Sequence, residues 1–182
     1  SGKSSLLNLI TLLMEPTNGK LTLDNLIIKT KEDIRQYQNK ITFISQDTFL
    51  IDDTIKNNII LNSEEKFDEE KFKYAINFSK VDKFIDEIPN GIEYFVGSHS
   101  RRISSGQRQR IAIARAIYNL KEIFILDEAT NALDEKNEKF IYENIFKLRG
   151  NQTILIVSHN IDNLENCDSI YEFKDQILIK KK

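Results

Sequence analysis

Five short stretches of this chain carry residue types that could do chemistry together. The first is Gly2-Lys3-Ser4, within SGKSSLL. It reads as the second half of a G-x-x-x-x-G-K-[ST] loop, whose first glycine would lie before residue 1. Backbone N–H groups at a helix start face an anion, and the helix dipole favours negative charge there. The Lys3 ammonium would reach phosphate oxygens, and the Ser4 hydroxyl would ligate Mg2+. Three residues alone fit a plain Ser-Gly turn before a helix better than a phosphate loop. The second stretch is IFILDE, Ile123 to Glu128. Its apolar run carries a carboxylate to the C-terminal tip of a buried strand, where open α/β sheets bind ligands. Asp127 suits a hold on Mg2+, and Glu128 suits a general base acting on water. A strand running into an acidic helix cap is the plain alternative.

The third stretch is ISSGQ, Ile103 to Gln107, which opens the helix RQRIAIARA. Small residues let backbone approach a phosphate closely, and Ser104 can donate its hydroxyl. An ordinary serine N-cap would need less than this string. The fourth is His159, after TILIVS, which could contact a terminal phosphate and the attacking water from another strand tip. The fifth is Gln46, after ITFIS, a neutral amide that can ligate Mg2+ and position water.

The elements that must position these groups follow from apolar spacing. Ser4 to Met14 reads as a helix with Leu6, Leu7, Ile10 and Leu13 on one face, ended by Pro16 and Gly19. LTLDNLIIK has strand composition around a turn at Asp24-Asn25. Residues 53 to 90 carry helical patterns between acidic stretches. Pro89, Gly91 and Gly97 mark irregular chain after them. GQRQRIAIARAIYN is expected to be a helix with its basic face outward. ITFIS, IFILDE and TILIVSH are apolar strands separated by helices, which implies an α/β fold with a parallel sheet covered on both faces. SIYEF and QILIK look like a closing hairpin.

Bulk properties narrow the class. The 182 residues suffice for one domain or slightly more, and 40% hydrophobic with 30% charged is a globular balance. A net charge of -2 advertises no nucleic-acid partner, and the Lys180 to Lys182 run reads as a solvated end. The single cysteine, Cys167, forms no internal disulfide, which fits a reducing compartment. No apolar run approaches the roughly 18 residues of a membrane helix.

Taken in order and spacing, Lys3, Gln46, ISSGQ, LDE and His159 resemble the ATP-binding cassette ATPase domain, over essentially the whole chain. EATNALD, Glu128 to Asp134, matches that family's D-loop. TFLIDDTIKNNI, Thr48 to Ile59, looks like the segment after the glutamine in exporter-type members, and GQRQRIAIARAIYN leans the same way. The resemblance implies a P-loop NTPase fold, with residues 1–50 and 120–182 as a RecA-like core and 51–119 as a helical subdomain bearing the signature. It implies that Gly2, Lys3, Ser4 and Ser5 hold ATP, that Ser4, Gln46 and Asp127 hold Mg2+, and that Glu128 is the base. His159 would stabilise the closed state. Two cassettes would pair head to tail, with Ser104, Gly106 and Gln107 on the partner's ATP and Asp134 at the dimer contact. A membrane-spanning domain, fused upstream, would complete a bacterial exporter of lipids, lipid-linked glycans, peptides or proteins, with this domain on the cytoplasmic face of the inner membrane.

On that resemblance the match continues before residue 1. The first loop glycine, the strand feeding the loop, and antiparallel strands with an adenine-stacking aromatic would lie there. Residues 1–182 alone are therefore expected to fold poorly and bind ATP weakly, since a sheet without a central strand exposes apolar surface and unpaired backbone. There are departures. Ser105 stands where the signature has its first glycine, and Ile103 where it has leucine. In YFVGSHSRR only Val96, Gly97 and Arg102 match, Phe95 replaces an acidic residue of the coupling loop, and Ser98, His99 and Ser100 differ. Two other readings stand beside the exporter. One is a soluble cassette ATPase of translation or DNA repair, against which the exporter-like Thr48 to Ile59 segment counts. The other is an inactive truncated product.

Overall fold

The expected elements form in chain order. Helix α1 (Lys3–Ile10) is followed by strands β1 (Thr22–Leu23) and β2 (Leu26–Ile27), helix α2 (Lys31–Gln38) and strand β3 (Ile41–Ile44). Next come β4 (Asp53–Thr54), α3 (Ile55–Ile60), α4 (Glu69–Phe78), α5 (Asp82–Ile85) and β5 (Phe95–Val96). Helix α6 (Ser105–Tyr118), β6 (Ile123–Asp127), α7 (Glu135–Phe146) and β7 (Thr153–Val157) complete the main body, and β8 (Tyr171–Lys174) and β9 (Ile177–Lys180) close it. This computed structural model describes residues 2–61, 66–97 and 103–182. Ser98, His99, Ser100 and Arg102, read above as part of the coupling loop, lie outside them.

The three apolar runs become one parallel sheet in the order β3-β6-β7. Ile44 is level with Leu126, and Asp127 with Val157. The C-terminal ends of all three strands therefore share one edge, which is where Gln46, Asp127, Glu128 and His159 emerge. Burial on both faces holds for the central strand alone. Phe124, Ile125 and Leu126 are essentially inaccessible, whereas Phe43 on β3 is 39% exposed and β7 is half-buried. A strand paired on both sides is covered by helices crossing from each neighbour; the flanking strands lack that cover among the described residues.

Other strand pairs among the described residues are two-stranded and antiparallel: β1-β2, β4-β5 and β8-β9. The β1-β2 turn is at Asp24-Asn25, as expected, with both residues at positive φ (47° and 69°). That left-handed pair matches the right-handed twist of a two-residue hairpin.

Two local expectations are corrected, and one element not read from the sequence is added between them. First, α1 stops at Ile10, well before Pro16. Leu12 turns into the left-handed region at φ 55°, and the N–H groups of Leu13 and Met14 both donate to the Asn8 carbonyl. Those bonds satisfy the terminal carbonyls and leave Leu13 68% exposed, off the apolar face. Second, residues 31–38 form α2. Thr30 and Asp33 cap each other's backbone N–H groups, a reciprocal box that was readable in TKED. Third, α6 does not hold its basic side chains uniformly outward. Arg108 is exposed, but Arg115 is turned in. Its guanidinium donates to the Asn58 carbonyl (2.7 Å), the Asn58 side-chain oxygen (2.8 Å) and the Phe49 carbonyl (2.8 Å).

One apolar cluster joins the sheet to the helices. Phe124 and Leu126 from β6 pack with Ile111, Ile113 and Ile117 of α6, Ile55 and Ile59 of α3, and Ile141 and Ile145 of α7. Asn58, fully buried, ties the chain after β3 to α3: its amide donates to the Ile51 and Thr54 carbonyls, and its oxygen accepts from Ile51 N–H.

Candidate functional site

Helix α1 begins at Lys3 because Gly2 takes φ 119°, a left-handed conformation costly for side-chain-bearing residues. A Cβ at position 2 would also stand 2.4 Å from the Phe173 ring of the closing hairpin. Glycine is required here twice over, and Lys3 is thereby placed on the helix's first turn. Its ammonium approaches Glu128 Oε1 (3.4 Å) and His159 Nε2 (3.0 Å). His159 Nε2 lies 2.7 Å from the same Glu128 oxygen. Residues separated by 125 and 156 positions thus converge on one carboxylate oxygen.

Glu128 continues the ladder for one step, its N–H donating to the Val157 carbonyl at 3.0 Å. It then turns at φ 50°, which a non-glycine residue adopts only when its surroundings impose it. Its side chain is 8% exposed. Beside it, Asp127 is half-buried at the end of β6. Burial, and then the charge of Glu128, push the Asp127 carboxyl above its ordinary range, against the pull of the Lys3 ammonium. A carboxyl held at such a cost beside a second carboxylate and a lysine is characteristic of working sites.

Gln46 is exposed, two residues past Ile44, the last β3 residue paired with β6. Ser4 and Ser5 are exposed on the first turn of α1. The oxygen donors available here are the Ser4 hydroxyl, the Gln46 amide and the Asp127 carboxylate. Among the described residues no group of three or more His, Cys, Asp or Glu side chains could hold a metal alone. Such a sparse oxygen set suits Mg2+, which takes one or two protein oxygens and completes its shell with phosphate and water.

The expected signature residues stand at the start of α6, whose Gly106 lies against the Ala132 carbonyl four positions after Glu128. Ser104 is the N-cap of α6: its hydroxyl accepts from Gln107 N–H (3.1 Å), while the Gln107 side chain accepts from Ser104 N–H (2.9 Å). The plain capping alternative is therefore realised, and the Ser104 hydroxyl proton stays available to a ligand. Ser105, the departure from the signature, is exposed on the first helical turn. No hydrogen bond or ion pair between described residues joins Ser104, Gly106 or Gln107 to Lys3, Glu128 or His159. Asp134 caps α7, accepting from Asn137 N–H at 3.0 Å, and that backbone bond holds its carboxyl below the ordinary range.

Two residues at the site were not singled out from the sequence. Asn131 donates its amide to Glu128 Oε2 at 2.7 Å. Gln109, buried on α6, accepts from Ala132 N–H at 2.8 Å. Asn131 sits three positions after Glu128, a spacing that hinted at contact. Gln109 occupies a core-facing position of α6 among isoleucines and alanines, where a polar side chain needs a partner.

A family model described as ABC transporter matches residues 1–131. The ATP-dependent lipid A-core flippase of Cupriavidus pinatubonensis is 37% identical over 172 residues, covering 93% of this chain and 29% of the relative. That of Vibrio parahaemolyticus serotype O3:K6 is 33% identical over 181 residues, covering 100% of this chain and 31% of the relative. A solved structure of a bacterial Atm1-family ABC exporter with ATP bound superposes with a TM-score of 0.88 at 26% identity, covering 98% of this chain and 31% of that one. The chain thus spans less than a third of the length of these relatives.

Proposed function

This chain belongs to the ABC transporter family, and from that premise we propose that it is the ATP-hydrolysing domain of a bacterial exporter. The convergence of Lys3, Glu128 and His159 on one sheet edge carries the reading. Lys3 would neutralise phosphate charge at the start of α1, where backbone N–H groups add to the field. Ser4, Gln46 and Asp127 would hold Mg2+, which when bound supplies charge neutralisation across the phosphates. Glu128, oriented and nearly buried, would take a proton from the attacking water, and His159 would bridge the base and the terminal phosphate. Positioning and charge stabilisation do most of the work in such transfers.

Ser104, Gly106 and Gln107 make no hydrogen bond or ion pair to that cluster among the described residues, and in the head-to-tail pair that the family resemblance implies, α6 of one copy would complete the site of the other. Residues 1–50 with 120–182 would form the nucleotide-holding lobe, and 51–119 the lobe that presents the signature. An open groove lined by Thr48, Phe49, Leu50, Ile51, Ile103 and Arg108 would receive a membrane-spanning domain. Phe49 there is 72% exposed. No helix of the described residues is long and apolar enough to cross a membrane. The spanning domain would be a fused part of the same transporter, as the family resemblance implies. The site would then face the cytoplasm at the inner membrane. The flippase relatives favour a lipid-linked cargo over the soluble-cassette alternative.

The test uses the full-length protein. Glu128→Gln is expected to keep ATP binding and to lower turnover by about 10²-fold or more, since a general base is removed while shape is kept. Steady-state phosphate release and nucleotide binding, measured side by side, check it. Near-normal turnover would remove Glu128 from the role.

A further inference from the structure

The two oxygens of the Glu128 carboxylate have different partners. Oε1 faces Lys3 and His159. Oε2 accepts from the Asn131 amide at 2.7 Å, and the Asn131 backbone N–H also returns to the Glu128 carbonyl at 3.3 Å. The next residue, Ala132, is held from the other side. Its N–H donates to Gln109 Oε1 at 2.8 Å, and Gln109 is 3% exposed. Its carbonyl lies against Gly106, where an added Cβ would stand 2.9 Å away. Helix α6 therefore grips the Asn131–Ala132 backbone, and Asn131 in turn grips the carboxylate.

We propose that Asn131 and Gln109 are positioning residues for Glu128, the first by direct hydrogen bond and the second by fixing the backbone that carries the first. A carboxylate free to rotate offers either oxygen in many directions. With Oε2 committed to an amide donor, Oε1 is the oxygen left facing the lysine and histidine. The left-handed backbone of Glu128 makes the brace necessary, because that conformation is not one the residue would keep by itself. A purely local role for Asn131, as a turn-stabilising amide, leaves Gln109 unexplained. That side chain arrives from 23 positions earlier and spends a buried acceptor on this loop. The grip also ties the signature end of α6 to the base, so a displacement of the helix displaces Oε1. The inference rests on the reading of Glu128 as the base.

The experiment is steady-state ATP hydrolysis by the full-length protein, with ATP binding and thermal melting recorded for every variant. Asn131→Ala and Gln109→Leu are expected to lower kcat about ten- to a hundredfold with KM nearly unchanged, as small misplacements of catalytic groups do. The double variant should lose no more than the worse single one, since both act on one carboxylate. Two isosteres separate positioning from packing. Asn131→Asp keeps the shape but cannot donate, and should lose at least as much as Asn131→Ala. Gln109→Glu keeps the acceptor for Ala132 N–H, and should retain most turnover. Wild-type kcat in Asn131→Asp and Asn131→Ala, with Glu128→Gln inactive, would overturn the inference and leave the base in place. Normal turnover in Glu128→Gln would overturn the base reading, and this one with it.

Discussion

The start of α1 and the start of α6 are both helix N-termini opened by small residues, yet they are built in opposite ways. At α1 the cap is a glycine without a side-chain bond, and the chemistry comes from elsewhere: Glu128 and His159 reach Lys3 across 125 and 156 positions. At α6 the cap itself is local: Ser104 and Gln107 satisfy each other's N–H groups three positions apart, while Gly106 and Gln109 of the same helix reach the distant Ala132. The first terminus is a site that the fold assembles within one chain. The second is a finished cap that presents its small residues outward. A satisfied cap is by itself an ordinary helix start, as Thr30 and Asp33 form at α2. Under the proposed head-to-tail pairing, the first terminus needs only nucleotide and the second acts on the other copy's nucleotide.

The strongest way to break that comparison uses mixed pairs of the full-length protein, with two differently tagged copies. If α6 serves the other copy, Glu128→Gln and Ser105→Asp, the latter at an exposed position of the first α6 turn, placed in one copy should disable both sites and abolish turnover. Placed in opposite copies, they should leave one site intact. Purified mixed pairs assayed for ATP hydrolysis decide it, and equal activity in the two arrangements would refute trans completion.

A second test concerns how α6 is held. Asn58 is fully buried and bonds both the backbone at residues 51–54 and the Arg115 guanidinium of α6. Asn58→Ala strips these acceptors and donors at once, and should cost roughly 3 kcal/mol, because the remaining partners stay buried without bonds. Denaturant unfolding would register it; a loss near zero would show that water replaces the amide freely.

The smallest expected effect concerns what the convergent site costs. The Asp127 carboxyl is raised above its ordinary 3.8 by burial and by Glu128. Folding therefore favours its protonated form. The stability linked to that proton is present in full below the ordinary value and is lost as pH rises through the raised one. Asp127→Asn, neutral throughout, should melt at a higher temperature than the parent at neutral pH, with the gain vanishing in acid. A gain that is independent of pH would place the cause in packing instead.

Much of this was legible in the sequence. Three strands, the α6 helix and both hairpin turns follow from apolar runs and turn residues, Glu128 and His159 from standing at strand ends, and Lys3 from the Gly-Lys-Ser stretch before a helix. The strand-tip rule works because a side chain just past a buried strand must emerge at the sheet edge, whatever surrounds it. Helix α1's early end was less accessible. Leu13 continues the apolar spacing, but carbonyl satisfaction by Leu13 and Met14 N–H groups outweighs it. The inward turn of Arg115 was hidden for a similar reason, since a half-buried guanidinium depends on carbonyls at Asn58 and Phe49 that only packing brings near.

What the sequence determined by itself is local: which residues cap, which stretches bury, and which polar groups stand at strand ends, because those follow from spacing and backbone preference within a few positions. What only the tertiary structure decided is which oxygen of Glu128 faces Lys3 and His159, and that Asn131 and Gln109 stand behind it. Those are contacts between elements far apart in the chain, set by the register of three strands and the seat of one helix. No periodicity within a single element encodes them.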